Sequence, residues 1–140
     1  VSELTANCVC IAPPGGLPDD WDHVALQHLT DRPFVALTGP LQKRLEDMLG
    51  SVGGELDIMA EASTSLSVSE LVLRGLGISV VDPFTGTLHR LRGGAALPLR
   101  PSLSYSVQAM ALGDTRLSAP ARDLLHYLES AASTIKDACR

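Results

Sequence analysis

The chain has 140 residues, 45% hydrophobic and 19% charged, with 16 acidic residues against 11 basic ones and a formal charge of −5. That size and balance fit one folded domain with an ordinary core and exclude a disordered chain. The acidic excess, with no clustered Lys/Arg run, leaves no electrostatic footprint for DNA or RNA, and no apolar run approaches the roughly 20 residues a membrane span needs. The amino terminus shows neither the basic start nor the long apolar stretch of an export signal, so a cytoplasmic protein without membrane contact is expected.

Asn7 to Ala12 (NCVCIA) reads as a short apolar strand, broken by Pro13-Pro14-Gly15-Gly16 into a loop that runs through Pro18-Asp19-Asp20. Cys8 and Cys10, at i and i+2, share one face of that strand, too close along the chain for an easy bridge, and read as buried reduced thiols; Cys139 sits in a polar tail. A turn or short helix follows from about Ala25 to Leu29. Phe34 to Leu37 is a second buried strand, and Thr38-Gly39-Pro40 switches it into a helix with an apolar stripe of Leu41, Leu45, Met48, Leu49 and Val52. Gly50, Gly53 and Gly54 stop that helix before a strand at Leu56 to Ala60.

Glu61 to Gly86 carries the most information. Ser63, Thr64, Ser65 and Ser67 crowd a helix start, and Ser67 with Glu70 matches the S-x-x-E capping signature. Val68, Leu71, Val72 and Leu76 recur at helical spacing until Gly75 and Gly77 end the helix. Ile78 to Val81 is a β-branched strand of the kind covered on both faces, ended by Asp82-Pro83. Residues 33 to 82 therefore alternate strand, helix, strand, helix, strand, which predicts an α/β fold with a doubly wound, mostly parallel sheet. In such a sheet helix starts and strand carboxyl ends share one edge, so Ser63, Thr64 and Asp82 should converge there.

Past Asp82 the pattern loosens. Phe84 to Arg92 reads as a turn and a weakly alternating stretch, Leu97 to Leu99 as a short edge strand between prolines, and Ser104 to Leu112 as a clearer strand. Ser118 caps a final helix with Leu124, Leu125, Leu128, Ala131 or Ala132, and Ile135 on one face. The four histidines (His23, His28, His89, His126) are scattered, so no metal site and no cofactor is expected, and no Ser-His-Asp order, Cys-His pairing or paired carboxylates suggest an enzyme.

The ordered set CVCIAPPGG, LQHLTDRPFVAL, SVSELVLRGLGISVVDPFTG, SYSVQAMAL and RLSAPARDLLHYLES resembles the effector-binding region of LysR-type transcriptional regulators, over roughly Asn7 to Ala131. The resemblance implies a periplasmic-binding-protein-like fold, two α/β subdomains joined by two crossing strands, with a small effector in the cleft. It implies a carboxyl-terminal fragment: residues 1–12 with the outgoing crossing strand at Cys8 to Ala12, residues 13–103 as the second subdomain, and residues 104–140 as the returning strand plus a helix that packs on the first subdomain. DNA contact would belong to a separate helix-turn-helix. Without the partner subdomain, the stripe Leu124, Leu125, Leu128 and Ile135 should fold back on its own sheet or be covered by a second copy, making a homo-oligomer. A solute-binding protein fragment is the other binding-protein reading.

Within such a cleft, Thr38, Gly39 and Pro40 open one helix and Ser63, Thr64 and Ser65 another, so free N–H groups and hydroxyls can hold a carboxylate; the same residues could instead be plain caps and turns. Asp82 needs a partner, either a local N–H or Arg, or the cation of an effector. The stretch VVDPFTG is similar to the branch of the family that answers to amino acids and opines, which implies an amino-acid-like effector with its cationic group near Asp82. Phe84 lies close to the proposed cleft edge as either a ligand stacker or a core plug, and Trp21 reads as a core plug or loop anchor. Arg90, Arg92, Arg100 and Arg122 are spaced as surface charges, and Lys43, Glu46 and Asp47 mark a solvent face or, by the resemblance, a subunit contact.

Overall fold

The structure, a computed structural model, describes residues 2–112 and 116–138. Cys139 lies outside them. In chain order the elements are β1 (Ser2–Asn7), β2 (Val9–Ala12), β3 (Val24–Ala25), a 3-10 turn (Leu26–Asp31), β4 (Pro33–Leu37), α1 (Pro40–Ser51), β5 (Asp57–Ala62), α2 (Ser65–Leu73), β6 (Ser79–Val81), α3 (Pro83–Leu91), β7 (Ala95–Arg100), β8 (Ser104–Ala109) and α4 (Ala119–Ala138).

The expected β-α-β-α-β run is present as β4-α1-β5-α2-β6. A four-stranded sheet has the order β3-β7-β2-β6, and β4-β5 is a parallel pair. The two join through a parallel bridge between Phe34 and Ile78, with Val35 N–H donating to the Ile78 carbonyl at 2.9 Å and the Ser79 hydroxyl to the Val35 carbonyl at 2.6 Å. The result is one mostly parallel sheet, β3-β7-β2-β6-β4-β5, in which β2 runs antiparallel to both neighbours. The close approach of β6 to β4 depends on Gly77, whose φ is +153° and where a Cβ would sit 2.3 Å from the Pro33 carbonyl oxygen.

Two apolar cores fill the faces. Phe34, Leu45, Leu49, Ile78, Val80, Leu99, Cys8 and Cys10 pack on one side, while Val9, Ile11, Val35, Val68, Val72 and Val81 pack on the other. The alternation of β2 residues between these clusters is the period-2 geometry of a strand covered twice. Both Cys8 and Cys10 are free and buried, as their spacing predicts. Of the α1 stripe, Leu45 and Leu49 are buried and Leu41 and Met48 pack beside them, but Val52 is exposed because it is already the C-cap.

Three sequence expectations change. Phe84 to Arg92 is not a turn and a weakly alternating stretch: Pro83–Leu91 is helix α3, started by the Asp82 carboxylate and by Pro83 at a position where its missing N–H costs nothing. Leu97 to Leu99 lies inside the sheet, between β2 and β3. It tolerates Pro98 because β3 pairs only with Leu99 and Arg100, leaving the outer side of Pro98 without a strand. The Ser67–Glu70 box does not form: Thr64 is the cap, accepting from Ser67 N–H at 3.2 Å, and Glu70 turns outward to Arg74 and Arg92. The strand paired with β8 is β1, which directly precedes Cys8 to Ala12; β1 and β8 form a separate antiparallel ribbon, with Asn7 opposite Ser104. Helix α4 is capped by Ser118 as its sequence predicts, with its hydroxyl accepting from Ala121 N–H at 3.3 Å.

Candidate functional site

Parallel strands place their carboxyl ends on one edge, and the next helix begins there. Leu37 is in register with Ala62, and Leu37 and Val81 each lie three residues beyond the Phe34–Ile78 bridge. The chain exits Ser63–Thr64, Thr38–Gly39 and Asp82 therefore stand side by side, followed by the start of β2, where Val9 faces Val81. The Thr38 N–H donates to the Ala62 carbonyl at 2.9 Å, which ties the first two exits directly together.

The two helix starts differ chemically. Gly39 is the N-cap of α1 at φ +134° with no side-chain acceptor, so the Leu41 and Gln42 N–H groups at that start face outward without an intrahelical partner. Pro40 contributes no N–H and fixes the first turn. At α2, Thr64 satisfies Ser67 N–H, and the Thr64 hydroxyl donates to the Ser67 hydroxyl at 2.8 Å, which leaves Ser63 and the Ser65 and Leu66 N–H groups toward the edge. Thr38, Gly39, Pro40, Ser63 and Thr64 are exposed and Ser65 is half-buried.

Asp82 is buried, and of the two partners its position allows, the local one is present. One carboxylate oxygen accepts from Thr85 N–H and the other from the Thr85 hydroxyl, both at 2.8 Å. Among the described residues no Lys, Arg or His pairs with it. Its charge is felt nearby. Burial, and then Asp82, push the Cys8 thiol up to about 12, and burial, Asp82 and Cys8 together raise the Tyr105 hydroxyl. Cys10 is also pushed up to about 12, by burial. Phe84 stands apart from the two helix starts. It lines an apolar groove of about 480 Å³ with Leu4, Val107, Leu125, Leu128 and Ile135, between α3, the ribbon and α4. Trp21 is a loop anchor, stacked on His28 at 4.4 Å with the Arg32 guanidinium 5.9 Å from its ring.

One cluster escapes a reading of the sequence. His89 of α3 is fully buried; its Nδ1 accepts from the Ser69 hydroxyl of α2 at 2.8 Å and its Nε2–H donates to the Ala12 carbonyl at the end of β2, 2.7 Å away. Burial holds its pKa below the usual histidine range, against the Ala12 carbonyl, which raises it; the Arg92 charge lowers it further. A neutral ring with the proton on Nε2 satisfies both bonds. Gly94 lies over the ring so closely that a Cβ there would sit 2.2 Å from Nε2. The signal available in the sequence was the Asp82, Thr85, Gly86, His89 spacing ahead of Gly93-Gly94, a helical face made of small and polar residues. Among the described residues no group of His, Cys, Asp and Glu could hold a metal ion, and no helix is long and apolar enough to cross a membrane.

In open α/β sheets of this kind, ligands bind along the edge where the strands end and the next helices start. The LysR substrate binding domain family matches residues 4–133, and the chain belongs to that family. It is 33% identical over 85 residues to the regulatory protein NocR of Agrobacterium tumefaciens (strain T37), a match that takes in 59% of this chain and 28% of NocR. Its fold is similar to HinK, a LysR family transcriptional regulator from Pseudomonas aeruginosa (TM-score 0.60, 16% identity, 93% of this chain and 48% of that one). It is equally similar to the regulatory domain of CcmR from Synechocystis PCC6803 in complex with 2-PG (TM-score 0.60, 17% identity, 92% of this chain and 64% of that one). At such identities the likeness is one of fold, the periplasmic-binding-protein-like α/β fold that the family resemblance implies.

Proposed function

We propose that this chain is one wall of an effector-binding cleft in a LysR-type transcriptional regulator and that it senses a small molecule without catalysing a reaction on it. The observation that carries this is the shared edge of β5, β4 and β6, where Thr38–Pro40 and Ser63–Ser65 present two helix starts with outward N–H groups and hydroxyls. Such a pair is suited to a carboxylate. The effector is amino-acid-like: its carboxylate lies on the two helix starts and its cationic group beside Asp82, a buried carboxylate that has hydroxyl and N–H partners but, among the described residues, no cation. The carboxylate oxygens have lone pairs to spare after Thr85 has used one on each. The small-molecule ligand 2-PG of CcmR supports a cleft of this kind in the fold.

Residues 13–103 form the effector-facing subdomain, with the ribbon as its connection to the subdomain that completes the cleft. Residues 104–140 belong with that other subdomain. The exposed apolar residues Leu124, Tyr127 and Leu128 of α4 are then covered in the assembled protein, by that subdomain or by a second copy. DNA binding belongs to a separate part of the regulator, and cytoplasmic location follows from that role.

The test is calorimetry of the complete effector domain against L-arginine, L-lysine and L-ornithine. Saturable heat that Thr38→Ala/Ser65→Ala weakens supports the site, and an affinity unchanged in Asp82→Ala removes Asp82 from it. Absence of binding by all three overturns the amino-acid reading.

A further inference from the structure

The β1–β8 ribbon leaves the main sheet at two adjacent points: between β1 and β2 at Cys8, and between β7 and β8 at Pro101–Leu103. Cys8 N–H donates to the Leu103 carbonyl at 2.8 Å, and both side chains are buried, so the point of departure is a defined pivot. Two further bonds, both from one side chain, cross it. Arg44 on α1 sends Nη1 to the Ser104 carbonyl at 2.9 Å and Nη2 to the Ser104 hydroxyl at 3.1 Å, gripping the first residue of β8 with two parallel arms. Arg44 lies one turn from Pro40, the start of the helix whose N–H groups face the candidate site, and α1 is seated by buried Leu45 and Leu49 on either side of its next turn.

From this geometry we infer that Arg44 is a positioning residue that latches the ribbon to α1, so that the angle of the ribbon follows the position of the helix start. A two-pronged guanidinium grip restrains direction as well as distance, which a single backbone hydrogen bond at a pivot does not. Helix α1 moves as a rigid rod, so a ligand that draws its start toward the cleft displaces Arg44 and, through it, Ser104. The use of the latch in sensing rests on the effector reading above; the latch itself does not.

Hydrogen exchange followed by mass spectrometry on the ligand-free chain tests it. Arg44→Ala is expected to speed exchange in Ser2–Asn7 and Ser104–Ala109 about fivefold, as loss of an exposed charged bond of ordinary strength implies, with α2 and β6 unchanged. Arg44→Lys, which keeps the charge but loses the fork, should recover only part of the protection, and Ser104→Ala, which keeps the carbonyl, should lose less than Arg44→Ala. Ribbon exchange unchanged in Arg44→Ala, or raised equally throughout the chain, overturns the latch. In a separate arm, L-arginine added to the complete effector domain should protect the start of α1 and the ribbon together, and only the former in Arg44→Ala. Protection at neither place defeats the amino-acid reading and leaves the latch decided by the ligand-free comparison.

Discussion

Replacing His89 with leucine keeps the volume of the ring while removing both of its polar contacts. The Ala12 carbonyl and the Ser69 hydroxyl are then buried without their partners, in a site where His89 has no exposed surface. Two net hydrogen bonds at about 1 kcal/mol each, plus desolvation of an orphaned carbonyl, give a loss of about 2–4 kcal/mol. That is a large part of the roughly 5–15 kcal/mol a domain commands. Ser69→Ala removes only the donor to Nδ1 and should cost about 1–2 kcal/mol. The pair should be non-additive, because the leucine variant has already lost the bond that the alanine removes. The pH dependence has a definite sign. The pKa of His89 in the fold is lowered from 6.5, first by burial, so the folded protein binds fewer protons than the unfolded chain. The stability this contributes is present above pH 6.5 and is lost as the pH falls below it. Urea unfolding monitored by circular dichroism at pH 7.5 and 5.5 measures both effects. A His89→Leu loss below about 1 kcal/mol at pH 7.5, or an unchanged difference between the two pH values in the variant, would refute the reasoning.

Thr64→Ala and Asp82→Ala each delete a helix cap and should each cost about 1 kcal/mol, with a larger loss for Asp82 because it holds both groups of Thr85; chemical unfolding checks this, and equal or negligible losses would count against it. Cys8 and Cys10, both pushed up to about 12, should resist iodoacetamide at pH 8 until the protein unfolds, and mass spectrometry showing native-state labelling at the rate of a free thiol would contradict the burial. Gly77→Ala meets the Pro33 carbonyl at 2.3 Å and must part β6 from β4, so its unfolding midpoint should fall by more than that of any cap variant.

The alternation of apolar strands with helical stripes from Pro33 to Val81, and the glycines that punctuate it, determine the β-α-β-α-β unit by local chemistry alone. Each of its three strands is short, β4 and β6 are almost wholly apolar, β5 carries Ile58, Met59 and Ala60 between two carboxylates, and each helix carries buried residues at helical spacing, so one reading of the period was available. The shared edge of Thr38–Gly39, Ser63–Thr64 and Asp82 followed, because parallel connection leaves the chain exits on one side.

Helix α3 was hidden for a physical reason. Its buried face is Pro83, Thr85, Gly86 and His89, while Leu88 and Leu91 are exposed, so its hydrophobic pattern points the wrong way. Gly86 is small because Val9 lies where its Cβ would be, a fact of packing between residues far apart in sequence. The choice of Thr64 over Ser67 as cap, the commitment of Asp82 to Thr85 and the placing of Pro98 where only β2 pairs with it likewise turn on which backbone lies alongside. The sequence by itself determined the strand and helix alternation and the edge on which the polar helix starts gather. Only the tertiary structure decided which of those polar groups are already satisfied, because a hydrogen-bond partner such as the Ala12 carbonyl for His89 is 77 residues away along the chain and 2.7 Å away in space.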